Sequence, residues 1–106
     1  MVSRFDVYLV NLDAEPSTDA KNTRPCVVIS PDEMNRHIQN VIIAPVSSQS
    51  VDYPTRVPVV FLNSERSIVL DQIRTVDKAR LVKKIGEIEE QEQKSILHCL
   101  AELFAK

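Results

Sequence analysis

The chain has 106 residues, of which 43% are hydrophobic and 26% charged, and its formal net charge is −2. This length predicts one domain, residues 1–106, and the composition excludes disordered, collagen-like and coiled-coil chains. The best apolar run, 41–46, is far shorter than the ~20 residues of a membrane span, and the first residues lack a signal peptide's apolar stretch. We therefore expect a cytoplasmic protein with no membrane contact.

The first half of the chain alternates apolar segments with polar turns. Residues 5–12 are rich in β-branched and aromatic side chains and predict a first strand, which turn-forming residues at 13–19 end. The apolar run 25–29 predicts a second strand. The Ser-Pro-Asp-Glu that follows favours a short helix over 31–37. The run 41–46 predicts a third strand.

The second half predicts three further strands and a helix. The strands cover 56–61, 67–73 and 81–88, and from Glu89 onward the apolar period changes from two to about 3.6. The apolar stripe of the helix is Ile96, Leu97, Leu100, Leu103 and Phe104. The predicted fold class is mainly β with α (α+β): a small, strongly curved antiparallel sheet or SH3-like barrel with a short helix and a C-terminal amphipathic helix.

Cysteine and glycine usage limits the possible cofactors. Cys26 and Cys99 lie far apart, without a Cys-x-x-Cys pair or a histidine at zinc-ligand spacing, so we interpret both as small core residues and expect no metal. Gly86 is the only glycine, whereas phosphate-binding loops need several. The sequence therefore predicts no nucleotide cofactor.

Three segments next to predicted strand ends stand out, because loops that converge at one end of a small β-barrel carry function. They are 22–31, Asn-Thr-Arg-Pro-Cys-Val-Val-Ile-Ser-Pro; 44–49, Ala-Pro-Val-Ser-Ser-Gln; and 69–81, Val-Leu-Asp-Gln-Ile-Arg-Thr-Val-Asp-Lys-Ala-Arg-Leu. Together with the first strand they resemble the MazF/PemK/Kid family of toxin endoribonucleases over nearly the whole chain. The run from Asp71 to Leu81 is the most specific part.

The resemblance implies the toxin of a type II toxin–antitoxin system, with a fold shared with the gyrase poison CcdB. It implies a homodimeric, metal-independent and sequence-specific endoribonuclease that cuts single-stranded RNA. The RNA supplies its own 2′-hydroxyl as nucleophile, which leaves a 2′,3′-cyclic phosphate and a 5′-hydroxyl. A cognate antitoxin would cover the RNA groove with its C-terminal segment.

The resemblance also implies catalytic residues. Arg24 matches the family's active-site arginine, whose planar guanidinium suits two phosphate oxygens; the alternative is a loop arginine in a surface ion pair. Ser47 matches a position where many members carry threonine, and its hydroxyl would bond the scissile phosphate with a freer χ1 than threonine has. For Ser47 and Ser48 the alternative is simple turn chemistry.

Asp71, Gln72 and Asp19 are possible catalytic or supporting residues. In the Kid branch a carboxylate at the position of Asp71 is proposed as general base with an arginine two residues earlier, where this chain has Val69. Asp71 is slightly favoured instead as a buried hydrogen-bonding group that fixes loops. Gln72 would read a base or brace the loop. Asp19 replaces a family glutamate, on a first loop that lacks the family's glycines.

Other polar residues are assigned to RNA or to the scaffold. The predicted RNA-binding residues are Lys21, Thr23, Gln49 and Arg74. Segment 74–80 is interpreted mainly as scaffold, with Asp77 capping a short turn, and His37 and His98 as packed or solvated residues. The basic residues expected to attract RNA and an acidic antitoxin are Lys21, Arg24, Arg36, Arg56, Arg74, Lys78 and Arg80.

Two other functions remain open from the sequence. A non-enzymatic, CcdB-like gyrase-binding toxin would end in an apolar, tryptophan-containing tail, and this chain has no tryptophan. A catalytically weakened member that still binds antitoxin is compatible with the serine at 47 and the altered first loop.

Overall fold

The computed structural model describes residues 1–13, 22–49 and 52–106. In chain order the elements are β1 Asp6–Asn11, β2 Thr23–Val28, α1 Asp32–His37, β3 Asn40–Ser47, β4 Arg56–Phe61, β5 Ser64–Val69, β6 Arg74–Asp77, β7 Leu81–Glu87 and α2 Glu90–Phe104. The predicted mainly-β fold with a short helix and a C-terminal helix is confirmed. The ends of β1–β4, β7 and α1, and the start of α2, lie within two residues of the prediction.

The strands form one curled antiparallel sheet in the order β4-β5-β3-β2-β1-β7, with β6 paired to β3. The same edge of β3 pairs first with β5, through Val46 and Ile68, and then with β6, through Ile43 and Arg74. A 3-10 turn at Leu70–Gln72 separates β5 from β6. The chain therefore brings strand ends from β2, β3 and β5 to one region of the sheet.

The predicted strand over 67–73 is wrong at both ends. The observed strand, β5, begins earlier, at Ser64. Leu62 and Asn63 both adopt positive φ, at 52° and 60°, and form a two-residue hairpin turn between β4 and β5. The strand ends at Val69 because Leu70 turns into the core while its N–H donates to the carbonyl of Thr55 at 3.0 Å. The polar pattern of β6 did not predict a strand.

Two apolar clusters lie on opposite sides of the sheet. The larger includes Val27 and Ile68, both fully buried, and Ile96 from α2. The smaller is formed by Val10, Cys26, Val28, Val41, Ile43 and Val76. The interpretation of both cysteines as core residues is confirmed, since Cys26 and Cys99 are buried free thiols.

Helix α2 packs through a narrower face than its apolar stripe predicted. Ile96 and Cys99 are buried, whereas Leu97 and Phe104 are 41% and 70% exposed. The reason is that α2 covers mainly β4 and the Leu70–Gln72 turn. Among the described residues, no helix is long and apolar enough to cross a membrane.

Because Gly86 has no side chain, β7 can lie close to the ring of Phe61 at the end of β4. A Cβ at this position would lie 2.8 Å from Cε1 and Cζ of Phe61, so Gly86→Ala forces the ring to move. We expect this change to lower the free energy of unfolding by about 1–3 kcal/mol, measured by urea denaturation. The matched control is Lys83→Ala at an exposed position of the same strand; equal effects of the two changes would contradict the steric explanation.

Candidate functional site

The two residues predicted to be catalytic lie on neighbouring strands. Arg24 belongs to β2, which pairs with β3 through Cys26 opposite Pro45. Continuing this antiparallel register by two residues along each strand places Arg24 opposite Ser47. Residues that oppose each other across two strands project from the same side of the sheet. The register therefore puts a guanidinium and a hydroxyl on the same side of the sheet, at the ends of neighbouring strands.

A second arginine projects from the same side, although the sequence did not single it out as a site residue. Ser47 pairs with Ser67 of β5, and Ser67 pairs with Pro58 of β4. Side chains alternate along a strand, so Arg56, two residues before Pro58, projects from the same side of the sheet as Pro58. Only the pairing register reveals this relation, since Arg56 lies in a different segment from the three motifs.

Arg74 completes the group. It opposes Ile43 in the pairing of β3 with β6, and Ile43 shares its side of β3 with Pro45 and Ser47. We call the surface formed by these four side chains the arginine face: Arg24, Ser47, Arg56 and Arg74.

Arg24 and Arg74 differ from Arg56, whose guanidinium is paired with the carboxylate of Asp71. Within the described ranges, no carboxylate lies at ion-pair distance from either guanidinium. Both are exposed, so they are available to an anionic ligand. Among the described residues, Arg24 is therefore not part of a surface ion pair, which was the alternative interpretation.

Two further basic residues are engaged by the scaffold. Arg80 donates from its guanidinium to the backbone carbonyls of Asn11 and Asp13, at the end of β1. Lys78 donates from Nζ to the carbonyl of Asn35 on α1. The carboxylate of Asp77 accepts the N–H of Ala79 at 2.7 Å, which is the predicted cap. Residues 78–80 therefore hold the fold together rather than line the arginine face.

The hydroxyl of Ser47 already takes part in a turn. Its Oγ accepts the backbone N–H of Gln49 at 3.1 Å, as the turn interpretation expects. A hydroxyl that accepts one hydrogen bond can still donate its own proton, so the turn orients Ser47 without removing its capacity to bond a phosphate oxygen. Ser48 and Gln49 are exposed beside it, and Gln72 is exposed on the turn after β5.

The thiol of Cys26 is buried beside these cations. Its Sγ lies 3.7 Å from the carbonyl oxygen of Arg24. Burial raises the pKa of the Cys26 thiol to about 12, although the positive charge of Arg74 opposes the shift. The thiol is protonated at neutral pH, so its role is packing rather than nucleophilic attack.

An open pocket of about 290 Å³ adjoins Arg24. Its lining includes Leu12, Asp13, Asn22, Thr23 and Arg24, so the predicted RNA-binding residue Thr23 is placed next to the guanidinium. The other two predicted residues of the first loop, Asp19 and Lys21, lie outside the described residues. Their roles stay predictions.

Asp71 departs from its prediction. Its carboxylate accepts hydrogen bonds from Thr55 Oγ1 at 2.9 Å and Arg56 Nε at 3.5 Å, as a loop-fixing residue would, but its side chain is 34% exposed rather than buried. Exposure follows from the 3-10 turn, which directs Leu70 inward in its place. Its contacts are at the start of β4, which β5 and β3 separate from Arg24 on β2.

Asp71 is expected to stabilise the fold in its ionised form. Burial alone would raise the pKa of this carboxyl, but the hydrogen bonds from Thr55 and Arg56 outweigh it and lower the pKa below its usual value. Because the folded-state pKa lies below the unfolded one, the stabilisation is present at neutral pH and is lost as the pH falls through the folded-state pKa.

Asp71→Asn measures that contribution. We expect the variant to be less stable than the parent at pH 7, by under about 1 kcal/mol because the pair is partly exposed. The difference should shrink below about pH 4. Urea unfolding at both pH values gives the two differences, and a difference that grows as the pH falls would contradict the assignment.

The histidines lie apart from the arginine face. His37 is exposed on α1, with Nε2 3.4 Å from Glu33, and His98 is exposed on α2. Both follow the solvated alternative. Among the described residues, no group of three or more His, Cys, Asp or Glu side chains is arranged to hold a metal ion.

Comparison with known sequences identifies a family that this chain matches over most of its length. A family model for the PemK-like, MazF-like toxin of type II toxin–antitoxin systems matches residues 3–104. A curated relative from Staphylococcus saprophyticus, named endoribonuclease MazF, is 31% identical over 102 residues, which cover 91% of this chain and 85% of the relative.

Solved structures share the fold. An endoribonuclease from a mycobacterial species, in complex with its cognate antitoxin, is similar with a TM-score of 0.81 and 23% identity, covering 96% of this chain and 93% of that one. A MazE–MazF structure from Deinococcus radiodurans is similar with a TM-score of 0.79 and 21% identity, covering 98% and 95% of the two chains.

Proposed function

Because the chain belongs to the family of PemK-like, MazF-like toxins of type II toxin–antitoxin systems, we propose that this endoribonuclease cuts single-stranded RNA at specific sequences, without a metal ion, on its arginine face. The observation that carries the proposal is the register of β2 on β3, which pairs Cys26 with Pro45; continued by two residues, it puts Arg24 and Ser47 on the same side of the sheet. A cation and a hydroxyl on adjacent strands form a site for one phosphate group.

The chemistry uses a nucleophile that the RNA itself carries. The 2′-oxygen attacks the neighbouring phosphorus and loses its proton, and the bond to the 5′-oxygen breaks as that oxygen gains a proton. The products are a 2′,3′-cyclic phosphate and a 5′-hydroxyl. Negative charge on the phosphate oxygens grows in the transition state, so donors held in place by the fold lower the barrier.

Three residues of the arginine face have distinct roles in this proposal. The forked guanidinium of Arg24 donates hydrogen bonds to two phosphate oxygens. The hydroxyl of Ser47 donates a hydrogen bond to the same phosphate. Arg74 faces Ile43, four residues before Ser47 on β3, so it adds positive charge about 13 Å along the strand and attracts the RNA backbone. Thr23 and Gln49 flank the phosphate site at the ends of β2 and β3.

The decisive experiment incubates the purified chain with a long single-stranded RNA in excess EDTA and maps the new ends. We expect discrete cuts that carry 5′-hydroxyls, and the same cuts in a parallel sample with added magnesium. Cuts that appear only with magnesium would overturn the proposed mechanism. Absence of cuts in both samples, with antitoxin binding retained, would favour the weakened family member.

A cognate antitoxin is the proposed protein partner, because relatives with this fold form complexes with antitoxins. A disordered C-terminal segment with carboxylates and apolar side chains would lie on the arginine face and pair with Arg24 and Arg74. Such a peptide should block RNA cleavage in proportion to its occupancy, and added salt should weaken it. A tightly bound antitoxin that leaves cleavage unchanged would place its site elsewhere.

We also propose a homodimer, since a two-fold pair lengthens the surface available to RNA. Light scattering at micromolar concentration gives the mass directly. A monomer mass under those conditions would contradict this part of the proposal.

A further inference from the structure

An exposed aromatic ring sits on an unusually well anchored turn. Tyr53 is 57% exposed and begins the turn into β4, which closes through the N–H of Arg56 donating to the carbonyl of Tyr53 at 3.0 Å. A ring in this position would move freely if only its own backbone held it.

Three contacts fix the turn to other parts of the fold. The carbonyl of Pro54 accepts Sγ–H of Cys99 on α2 at 3.3 Å. The carbonyl of Thr55 accepts the N–H of Leu70 at 3.0 Å, and its hydroxyl donates to Asp71 at 2.9 Å. The backbone that carries Tyr53 is thus held by the helix and by the turn after β5.

A cation lies on one side of the ring. The guanidinium carbon of Arg56 is 5.9 Å from the ring centroid of Tyr53, within the range of a cation–π contact. Arg56 also bonds Asp71 through Nε at 3.5 Å. The guanidinium therefore braces the ring, while more than half of Tyr53 stays open to solvent.

Arg56 connects this ring with the phosphate site. It pairs with Val69 of β5, and the register of β5 with β3 continues from Val46 and Ile68 to place Val69 opposite Pro45. Arg56 is consequently two strand spacings, about 10 Å, from Pro45, on the same side of the sheet as Ser47. The braced ring stands at the edge of the arginine face.

We propose that Tyr53 and Arg56 form a stacking subsite for one nucleobase of the RNA, next to the phosphate held by Arg24 and Ser47. The inference rests on the proposed function and adds the part of the substrate that this edge binds. An aromatic ring stacks on any base because every base has a π-face. The subsite thus holds the RNA strand in line without choosing its sequence.

The local charge favours a base over an acidic peptide. The positive charge of Arg56 is balanced by the carboxylate of Asp71, so the ring and its brace carry no net charge. A carboxylate from a peptide would be repelled by Asp71 as well as attracted by Arg56. The neutral face of a base is repelled by neither. Among the described residues, Arg24 and Arg74, on the other side of β5, have no carboxylate at ion-pair distance.

Affinity for RNA tests the subsite separately from catalysis. The probe is an RNA oligonucleotide spanning a mapped cut, with 2′-deoxyribose at the attacked position so that it binds without being cleaved. We expect Tyr53→Ala to weaken binding about tenfold, Tyr53→Phe to stay within about twofold because it keeps the ring, and Phe104→Ala, an exposed aromatic residue on α2, to match the parent. Cleavage at saturating RNA should change less than binding does.

Fluorescence reports the stacking itself, even if Tyr53→Ala folds poorly. The chain has two tyrosines and no tryptophan, so Tyr8→Phe leaves Tyr53 as the only tyrosine. Adding the deoxy-substituted RNA should quench the emission of Tyr53, because a base stacked on the ring returns the excited tyrosine to its ground state without emission.

The outcomes separate the subsite from the proposed function. If the parent chain cuts RNA but Tyr53→Ala binds the probe with parental affinity and Tyr53 emission is unchanged, the subsite is wrong and the function stands. If the parent chain neither binds nor cuts RNA, the proposed function fails instead.

Discussion

Arg24→Ala is expected to slow RNA cleavage by about a hundredfold to a thousandfold while leaving the fold intact. Removing a donor that is held against a developing negative charge costs about 2.7–4 kcal/mol of transition-state stabilisation. Arg24 is exposed and, among the described residues, holds no ion pair, so its loss removes little from folding stability.

Single-turnover cleavage of RNA in EDTA measures this effect. Lys94→Ala on α2 removes a positive charge from an exposed helix position and should cut at the parental rate. Arg24→Lys should fall between the two, because an ammonium keeps the charge but not the planar fork. If Arg24→Ala cuts as fast as Lys94→Ala, the assignment of the site to this residue is wrong.

Leu70→Ala is expected to produce the largest loss of stability, about 2.7–5 kcal/mol. Leu70 is fully buried in the larger apolar cluster, and the turn that contains it separates β5 from β6. Its N–H also holds the carbonyl of Thr55. Truncation would leave a cavity where β3, β4 and α2 meet the turn.

Urea denaturation gives the loss, with Leu62→Ala as control. Leu62 is 58% exposed in the hairpin between β4 and β5, so the same truncation there should change the free energy of unfolding by less than about 0.5 kcal/mol. Similar losses for the two variants would show that Leu70 does not anchor the turn.

Local patterns predicted most elements because each has its own signal. The β-branched and aromatic residues at 5–12, the helix-start residues before α1 and the change to a period of 3.6 at Glu89 all act over a few residues. The break between β5 and β6 lacks such a signal. Whether Leu70 continues a strand or turns into the core depends on β3, α2 and Thr55, which are distant in sequence.

The candidate site shows the same division. The segments around Arg24 and Ser47 were found from their residues, but their adjacency follows from the register of β2 on β3. Arg56 was one of several basic residues in the sequence, and only the pairing of β4 with β5 assigns it to the same side. Asp71 was expected to be buried, since sequence alone does not show that Leu70 takes the inward position.

The central claim is that the RNA's own 2′-hydroxyl attacks the phosphate held at Arg24 and Ser47. A synthetic RNA with 2′-deoxyribose at one mapped cut tests it in a single measurement, against the unmodified RNA and in EDTA. We predict that cleavage at that position disappears while other cut positions on the same strand are cut as before. Cleavage at the deoxy position at the unmodified rate would require another nucleophile and would contradict the claim.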